Sequence, residues 1–184
     1  GQVFEELKFS DHFFSSLAEV IYWKPNAAII ASPASKHLEQ AITFSKAQIP
    51  ILLEKPVGTG NECSKDWNKL LNLAKKNTLL IGYVLRHDPI VEHLSKIINQ
   101  NKLGKLLEAD FNSCSWLPSW RSEVDYRNTV SSKKKLGGGV LLEVSHEIDM
   151  ALWLFGKISL IEASIQNTGL LDLDKNVEDF ALLI

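Results

Sequence analysis

The sequence predicts an α/β protein: a parallel sheet with helices on its faces, followed by part of an α+β domain with an open, largely antiparallel sheet. Over residues 27–83, three short apolar runs alternate with two stretches of helical periodicity, which is the pattern of βαβ units. Two strand-like stretches, 158–168 and 176–184, follow each other with no helix between them, which favours antiparallel pairing. The chain therefore divides into residues 1–87 and residues 88–184.

The elements of the first part follow from apolar runs and helix boundaries. Ala27–Ala31 is short and apolar and stops at Ser32-Pro33, so we expect a buried strand. Ser35 is a plausible N-cap for the helix that follows. In chain order we expect a helix over 10–20, strands over 27–31, 49–53 and 78–83, and helices over 36–47 and 62–76 between them.

The second part begins with Pro89, which opens a helix. Three consecutive glycines, Gly137 to Gly139, then lead into another helix that should end at Gly156. The expected elements are a helix over 90–100, a strand over 106–115, a helix over 141–154 and the two terminal strands. The core side of the helix over 141–154 should carry Val144, Ile148, Ala151 and Leu152.

Composition and charge exclude several classes of protein. Hydrophobic residues make up 45% and charged residues 23%, which is typical of a folded globular chain. The net charge of −2 gives no electrostatic attraction to nucleic acid or an anionic membrane, and no apolar stretch approaches the roughly 20 residues of a membrane span. Cys63 and Cys114 have neither metal-ligand nor disulfide spacing. We expect a cytoplasmic protein without nucleic-acid or membrane partners.

Three motifs stand where the predicted parallel strands end, the edge at which open α/β sheets bind ligands. Glu54-Lys55-Pro56 ends the second strand, and a partly buried Lys55 could donate to a substrate oxygen. The turn from Ser32 to His37 could offer backbone N–H groups to a cofactor, and Arg86 points toward the same crevice. The alternatives are a solvated loop, an ordinary strand-to-helix turn and a surface arginine.

A fourth motif follows the three glycines. Glu143 and His146 lie three residues apart, so on one helix they share a face, and Asp149 follows at the same interval. A histidine with a carboxylate neighbour can act as a general base. The alternative is a capping carboxylate with a structural histidine. Because no third ligand is evident, we expect no metal site.

In order and spacing, these motifs resemble the Gfo/Idh/MocA family. They are Ala-Ser-Pro-x-x-x-His, Glu-Lys-Pro, Gly-Tyr-x-x-Arg-x-x-Pro, and Gly-Gly-Gly with an acidic residue before His-x-x-Asp. The resemblance implies an N-terminal Rossmann domain, of which residues 1–87 would be the C-terminal part, and a substrate and oligomerisation domain in residues 88–184. It also implies NAD or NADP as cofactor and a sugar or sugar derivative as substrate. A homo-oligomer through the C-terminal sheet is expected with it.

The resemblance also implies a role for each matching residue. Lys55, His146 and Glu143 would be catalytic, with His146, assisted by Lys55, moving the hydroxyl proton during hydride transfer. The cofactor would contact Ser32, Pro33, His37, Glu54, Lys55 and Arg86. A loop similar to that of a bacterial branch near nonulosonic-acid sugar genes would bind the substrate through Trp120, Arg121, Tyr126 and Arg127. The alternative for this loop is packing across the domain junction.

Two departures from the family pattern bear on these roles. The family usually places the acid four residues before the histidine, whereas Glu143 stands three before His146 and Leu142 occupies the usual place. The Gly-x-Gly-x-x-Gly turn that binds the pyrophosphate is absent from the sequence. We therefore expect weak cofactor binding and little activity from these 184 residues alone. A sensing relative without turnover and a cofactor-assisted epimerase or glycosidase remain alternatives.

Overall fold

A computed structural model of the chain describes residues 12–184. The start of the helix expected over 10–20 lies outside the described residues, and the helix α1 spans Leu17–Trp23. It begins later than expected because the Ser16 side chain caps it, accepting a hydrogen bond from the Glu19 N–H at 3.3 Å. None of the helices within residues 12–184 has the length and apolar character needed to cross a bilayer.

The first half is a three-stranded parallel sheet, as the sequence predicts. Its strands are β1 (Ala28–Ile30), β2 (Ile51–Leu53) and β3 (Leu79–Ile81), in the order β1-β2-β3. The helices α2 (Ala34–Lys46) and α3 (Ser64–Ala74) connect them. Because each connection returns the chain to the same end of the sheet, all three strands finish at one edge.

One face of this sheet holds the core. Ile30, Ile51 and Leu53 are at most 4% exposed and pack with apolar residues of α2 and α3. The opposite face presents a row of aligned side chains, Ile29, Leu52 and Leu80, that are 74%, 38% and 60% exposed. This difference follows from the alternation of side chains along a strand, because the described helices of this half pack on one side only.

The second half begins with a 3₁₀ turn over Val84–His87 and the helix α4 (Pro89–Asn99). Asp88 caps α4, accepting from the Ile90 N–H at 2.8 Å. After a loop with four further 3₁₀ turns come α5 (Val140–Glu143) and α6 (His146–Phe155), which ends at Gly156 as predicted. β4 (Ala163–Gln166) and β5 (Phe180–Leu183) then pair antiparallel, which confirms the expected change of architecture.

Four local predictions are wrong. The strand expected over 106–115 forms no ladder with any described residue, and Leu107 is 88% exposed; a β-prone run without a partner stays irregular. Pro33, not Ser35, is the N-cap of α2, because a residue without an N–H fits where no helical bond is made. The helix over 141–154 breaks at Val144, whose φ of −109° and ψ of 40° are not helical. Leu152 is 47% exposed and does not face the core.

Candidate active site

The sheet edge where the parallel strands end carries Glu54 and Gly82. The Gly82 N–H donates to the Leu53 carbonyl at 2.8 Å, which keeps the ends of β2 and β3 together. A Cβ at Gly82 would lie 3.0–3.3 Å from the Glu54 carboxylate group, so the carboxylate packs directly on the glycine. This close approach places the Glu54 carboxylate at the crevice that open parallel sheets use for ligands.

Lys55 extends from this edge to the second half of the chain, where its Nζ donates to the backbone carbonyl of Glu143. Burial lowers the pKa of Lys55 below its ordinary value of 10.5, while the nearby charges of Glu143, Glu54 and Glu147 oppose that shift. A lysine in this setting gives up its proton more readily than an exposed one, which suits a group that exchanges protons with a substrate.

The Glu143 side chain lies in the same cluster. Its Oε1 accepts a hydrogen bond from the Ser131 hydroxyl at 2.8 Å. Burial raises the pKa of Glu143, and the Ser131 hydroxyl and the charges of Lys55 and Arg121 reduce the rise. Glu143 has an unusual spacing to His146, yet its backbone carbonyl accepts from Lys55. The carbonyl is free to do so because the break at Val144 ends α5 directly after Glu143. Ser131 has no signal in the sequence, since its contact with Glu143 depends on the loop's path.

His146 opens α6, and its ring meets Tyr83 edge to face at a centroid distance of 5.7 Å. The shared helical face expected for Glu143 and His146 is absent, because two different helices carry them. The hydrogen-bond partner of Glu143 is Ser131, and the buried His146 Nδ1 has no hydrogen-bond partner among the described residues. A buried ring nitrogen without a partner is uncommon in a folded chain, and it distinguishes His146 from His37, whose two ring nitrogens both have partners.

Arg86 forms a bidentate ion pair with Asp149 of α6. Arg86 Nε and Nη2 donate to the two carboxylate oxygens at 2.8 and 2.5 Å, and the hydrogen bond raises the pKa of Arg86. The guanidinium also lies 5.9 Å from the ring centroids of Tyr83 and Trp153. An open cavity of about 670 Å³ borders this pair and is lined by neither Lys55 nor His146. The pair joins the two halves of the chain, and Tyr83 contacts both Arg86 and His146.

His37 is 2% exposed and holds together the ends of β1 and β2. Its Nε2 lies 2.6 Å from the Ser32 carbonyl oxygen and its Nδ1 lies 2.6 Å from that of Pro56. The Ser32 hydroxyl donates to Gln40 Oε1 at 2.6 Å. His37 thus supports the loops that precede Pro33 and follow Lys55, and direct contact of Ser32, Pro33 or His37 with a cofactor stays a prediction.

The loop expected to bind substrate is held by bonds within the second half. Trp120 Nε1 donates to Ser115 Oγ at 2.6 Å, and the Tyr126 hydroxyl accepts from the Asp172 N–H at 3.0 Å. Arg127 pairs with Asp125 at 2.7 Å. Arg121 differs from these three, because its charge acts on Glu143 and none of the ion pairs among residues 12–184 includes it.

Comparison with known protein families assigns both halves of the chain. Residues 2–84 match the model of an oxidoreductase family with an NAD-binding Rossmann fold, and residues 91–184 match the Gfo/Idh/MocA C-terminal domain. The chain belongs to the Gfo/Idh/MocA oxidoreductase family. This confirms the resemblance inferred from the motifs.

Two named proteins show how far the similarity of the chain to its relatives extends. Levoglucosan dehydrogenase of Pseudarthrobacter phenanthrenivorans is 28% identical over 137 residues, covering 73% of the chain and 34% of that protein. The rhizopine catabolism protein MocA of Rhizobium meliloti is 30% identical over 135 residues, covering 72% and 38%. The chain thus spans little more than a third of the length of these relatives.

Solved structures agree with the fold. The WlbA dehydrogenase of Bordetella pertussis, in complex with NADH and UDP-GlcNAcA, superposes with a TM-score of 0.71 at 20% identity, covering 98% of the chain and 50% of WlbA. A levoglucosan dehydrogenase in complex with NADH and levoglucosan gives a TM-score of 0.68 at 24% identity, covering 91% and 46%. The α/β architecture deduced from the sequence is therefore also the architecture of these two dehydrogenases.

The described residues fit a nicotinamide cofactor at the sheet edge. The strands β1, β2 and β3 finish side by side there, as in other sheets that bind dinucleotides. The Glu54 carboxylate can accept a hydrogen bond from a ribose hydroxyl, and the unpartnered His146 Nδ1 shows that the site has an unmet polar atom. Both features agree with the NAD-binding family model that matches this half.

Proposed function

We propose that this chain carries the catalytic centre of an oxidoreductase that moves a hydride between a sugar carbinol carbon and NAD or NADP. The observation that carries the proposal is the contact of Lys55 with the Glu143 carbonyl. It brings a partly buried lysine at the cofactor edge of one half beside the His146 helix of the other. A hydroxyl oxygen held between these groups would meet both a hydrogen-bond donor and a proton acceptor.

The protein groups divide the proton chemistry between them. His146 takes the proton from the sugar hydroxyl, and Lys55 donates a hydrogen bond that stabilises charge on the same oxygen. Burial raises the pKa of Glu143. The Glu143 carboxyl group contributes to the charge around Lys55 and can itself exchange a proton. When bound, the nicotinamide ring supplies the hydride acceptor or donor.

Cofactor and substrate contacts are proposed for separate parts of the chain. Glu54, Lys55 and Arg86 would border the cofactor, together with the turn at Ser32, Pro33 and His37. Trp120, Arg121, Tyr126 and Arg127 would line the sugar pocket. Arg121 is the best placed of these four, because its charge already acts on Glu143 and an arginine suits a carboxylate or phosphate on the sugar.

Three features of organisation are also proposed. The domain boundary falls between residues 87 and 88, which the separate family matches over 2–84 and 91–184 support. The β4–β5 sheet, with Ile165 and Leu182 each 50% exposed, would contribute to a homo-oligomer. The unpaired thiols of Cys63 and Cys114 suit the cytoplasm.

The test is a turnover assay with a panel of polyols, anhydrosugars and sugar acids, using NAD and NADP and following nicotinamide fluorescence. The assay uses the 184-residue chain and, where the natural protein is longer, that longer protein as well. His146→Ala should lower turnover by about 10²–10⁴-fold and leave the cofactor Kd unchanged. His93→Ala, an exposed histidine on α4, is the matched control and should change neither quantity.

Three results would contradict the proposal or one of its parts. Cofactor binding without turnover of any sugar would favour a sensing relative. Conversion of a sugar with no net change in cofactor oxidation state would favour the epimerase or glycosidase chemistry instead. Equal loss of cofactor binding and turnover in His146→Ala would show that His146 supports the cofactor site and is not the base.

A further inference from the structure

Glu178 is a buried carboxylate that the proposed reaction does not use. It lies two residues before β5 and is 8% exposed. Its Oε2 accepts from Lys134 Nζ at 3.0 Å, and its Oε1 accepts from the Leu141 N–H at 3.4 Å. Its backbone carbonyl accepts from the Val140 N–H at 3.0 Å. One residue therefore binds both the loop before α5 and the first turn of α5.

We propose that Glu178 is a positioning residue that holds α5 so that Glu143 meets Lys55. Because α5 has only four residues, its first turn and Glu143 are parts of the same rigid turn. Glu178 holds this turn from the side of β5, and Lys55 contacts it from the side of the parallel sheet. The Glu178 contacts are at the N-terminal end of α5 and the Lys55 contact is at its C-terminal end.

Gly139 provides the direct connection between Glu178 and Glu143. A Cβ on Gly139, whose φ is +125°, would overlap the Glu178 carboxylate, so the carboxylate rests on the glycine backbone. The Glu143 N–H in turn donates to the Gly139 carbonyl at 3.0 Å. If the Glu178 side chain moves, Gly139 can move with it, and the hydrogen bond from the Glu143 N–H to the Gly139 carbonyl then shifts the Glu143 backbone.

The two side-chain contacts of Glu178 require a carboxylate and not an amide. Both oxygens of Glu178 face donors, one from Lys134 and one from Leu141. A glutamine has a single acceptor oxygen, so its amide group would turn a donor toward a donor at one of the two contacts. Glu178→Gln thus keeps the shape of the side chain and loses one of the two contacts.

Asp174 offers a matched control from the same segment. It binds the same loop, since its carboxylate lies 3.5 Å from Lys133 Nζ and accepts from the Lys134 N–H at 3.3 Å. It has no hydrogen bond to α5 among the described residues. Asp174→Asn therefore removes a comparable charge from the loop without touching the turn that carries Glu143.

The experiment compares Glu178→Gln and Asp174→Asn in the 184-residue chain by hydrogen exchange and by ¹³C NMR titration of Glu143, assigned with Glu143→Gln. In Glu178→Gln, exchange of the amides in residues 139–146 should rise about tenfold, because a charge-assisted hydrogen bond is lost. The pKa of Glu143 should move down toward its ordinary value of 4.5, because burial is the main cause of its rise. Asp174→Asn should show neither change.

Unchanged exchange and an unchanged Glu143 titration in folded Glu178→Gln would overturn the inference, as would equal changes in Asp174→Asn. If Glu178→Gln does not fold, Glu178→Asp takes its place, since it keeps the charge and withdraws the carboxylate from Leu141. The inference rests on the proposed function only in treating Lys55 as a group that acts on the substrate and Glu143 as the group that sets the charge around Lys55. Both readouts are independent of turnover, so the positioning role and the dehydrogenase activity can fail separately.

Discussion

Removing Arg86 should weaken the junction between the two halves more than removing any exposed cation. The Asp149 side chain is 9% exposed and Arg86 is 40% exposed, so Arg86→Met leaves a buried carboxylate without its partner. Breaking a fully buried pair costs about 3–5 kcal/mol, whereas exposed pairs contribute about 0.2–1 kcal/mol. Because solvent screens Arg86, we expect a loss of about 2 kcal/mol in the free energy of unfolding.

Thermal unfolding followed by circular dichroism measures this loss. For a chain of this size each kcal/mol moves the Tm by about 2–4 °C, so Arg86→Met should lower it by about 4–8 °C. Arg127→Met is the control, because the Arg127–Asp125 pair is 56% and 37% exposed and its loss should move the Tm much less. A double-mutant cycle with Asp149→Leu should give a coupling energy of about 1–2 kcal/mol.

Two results would refute this reasoning. If Arg86→Met and Arg127→Met shift the Tm equally, the burial of Asp149 does not determine the cost. If the cycle shows no coupling energy, the bidentate geometry contributes nothing beyond the separate packing of Arg86 against Tyr83 and Trp153.

Three further predictions concern the junction and the titrating groups. Gly137→Ala should lower the free energy of unfolding, measured in urea, by about 1–3 kcal/mol, because φ at Gly137 is +98° and the new Cβ would lie 2.7 Å from the Ala34 Cβ. Gly104→Ala is the control: φ is +66°, nothing lies within 4 Å of the new Cβ, and the loss should be about 1 kcal/mol. The folded-state pKa of Glu143 is raised above 4.5, so the folded chain holds the proton longer and the unfolding free energy falls as pH rises through that window. Ser131→Ala should widen the window, which pH-dependent unfolding measures, and an unchanged profile would contradict it. The folded-state pKa of Lys55 is lowered below 10.5, so the unfolding free energy rises as pH approaches 10.5 from below, and Lys55→Met should abolish this part of the rise.

The parallel half is predictable from sequence because its signals are local. Ala28–Ile30 and Ile51–Leu53 lie within the predicted apolar runs, and the helices between them follow their periodicity. The strand expected over 106–115 fails because ladder formation depends on a partner that the local pattern does not encode. Helix capping at Pro33 and the break at Val144 are decided by backbone dihedrals and by packing, which overrule propensity.

The candidate site is predictable in its residues but not in its contacts. Lys55, Glu143 and His146 stand out by motif, yet the acceptor of Lys55 is a backbone carbonyl 88 residues away. Asp149 is visible in the sequence as part of His-x-x-Asp, but nothing local pairs it with Arg86. Ser131 and Glu178 have no motif at all, because their importance depends on loops that fold against α5.

The acceptor of Lys55 has a consequence for how this centre can evolve. Every amino acid at position 143 supplies a main-chain carbonyl, so the lysine stays anchored whichever side chain follows it. The position of the acidic side chain along this turn is therefore independent of the hydrogen bond that holds Lys55. A centre anchored in this way keeps the acceptor of its lysine when the side chain at position 143 is replaced.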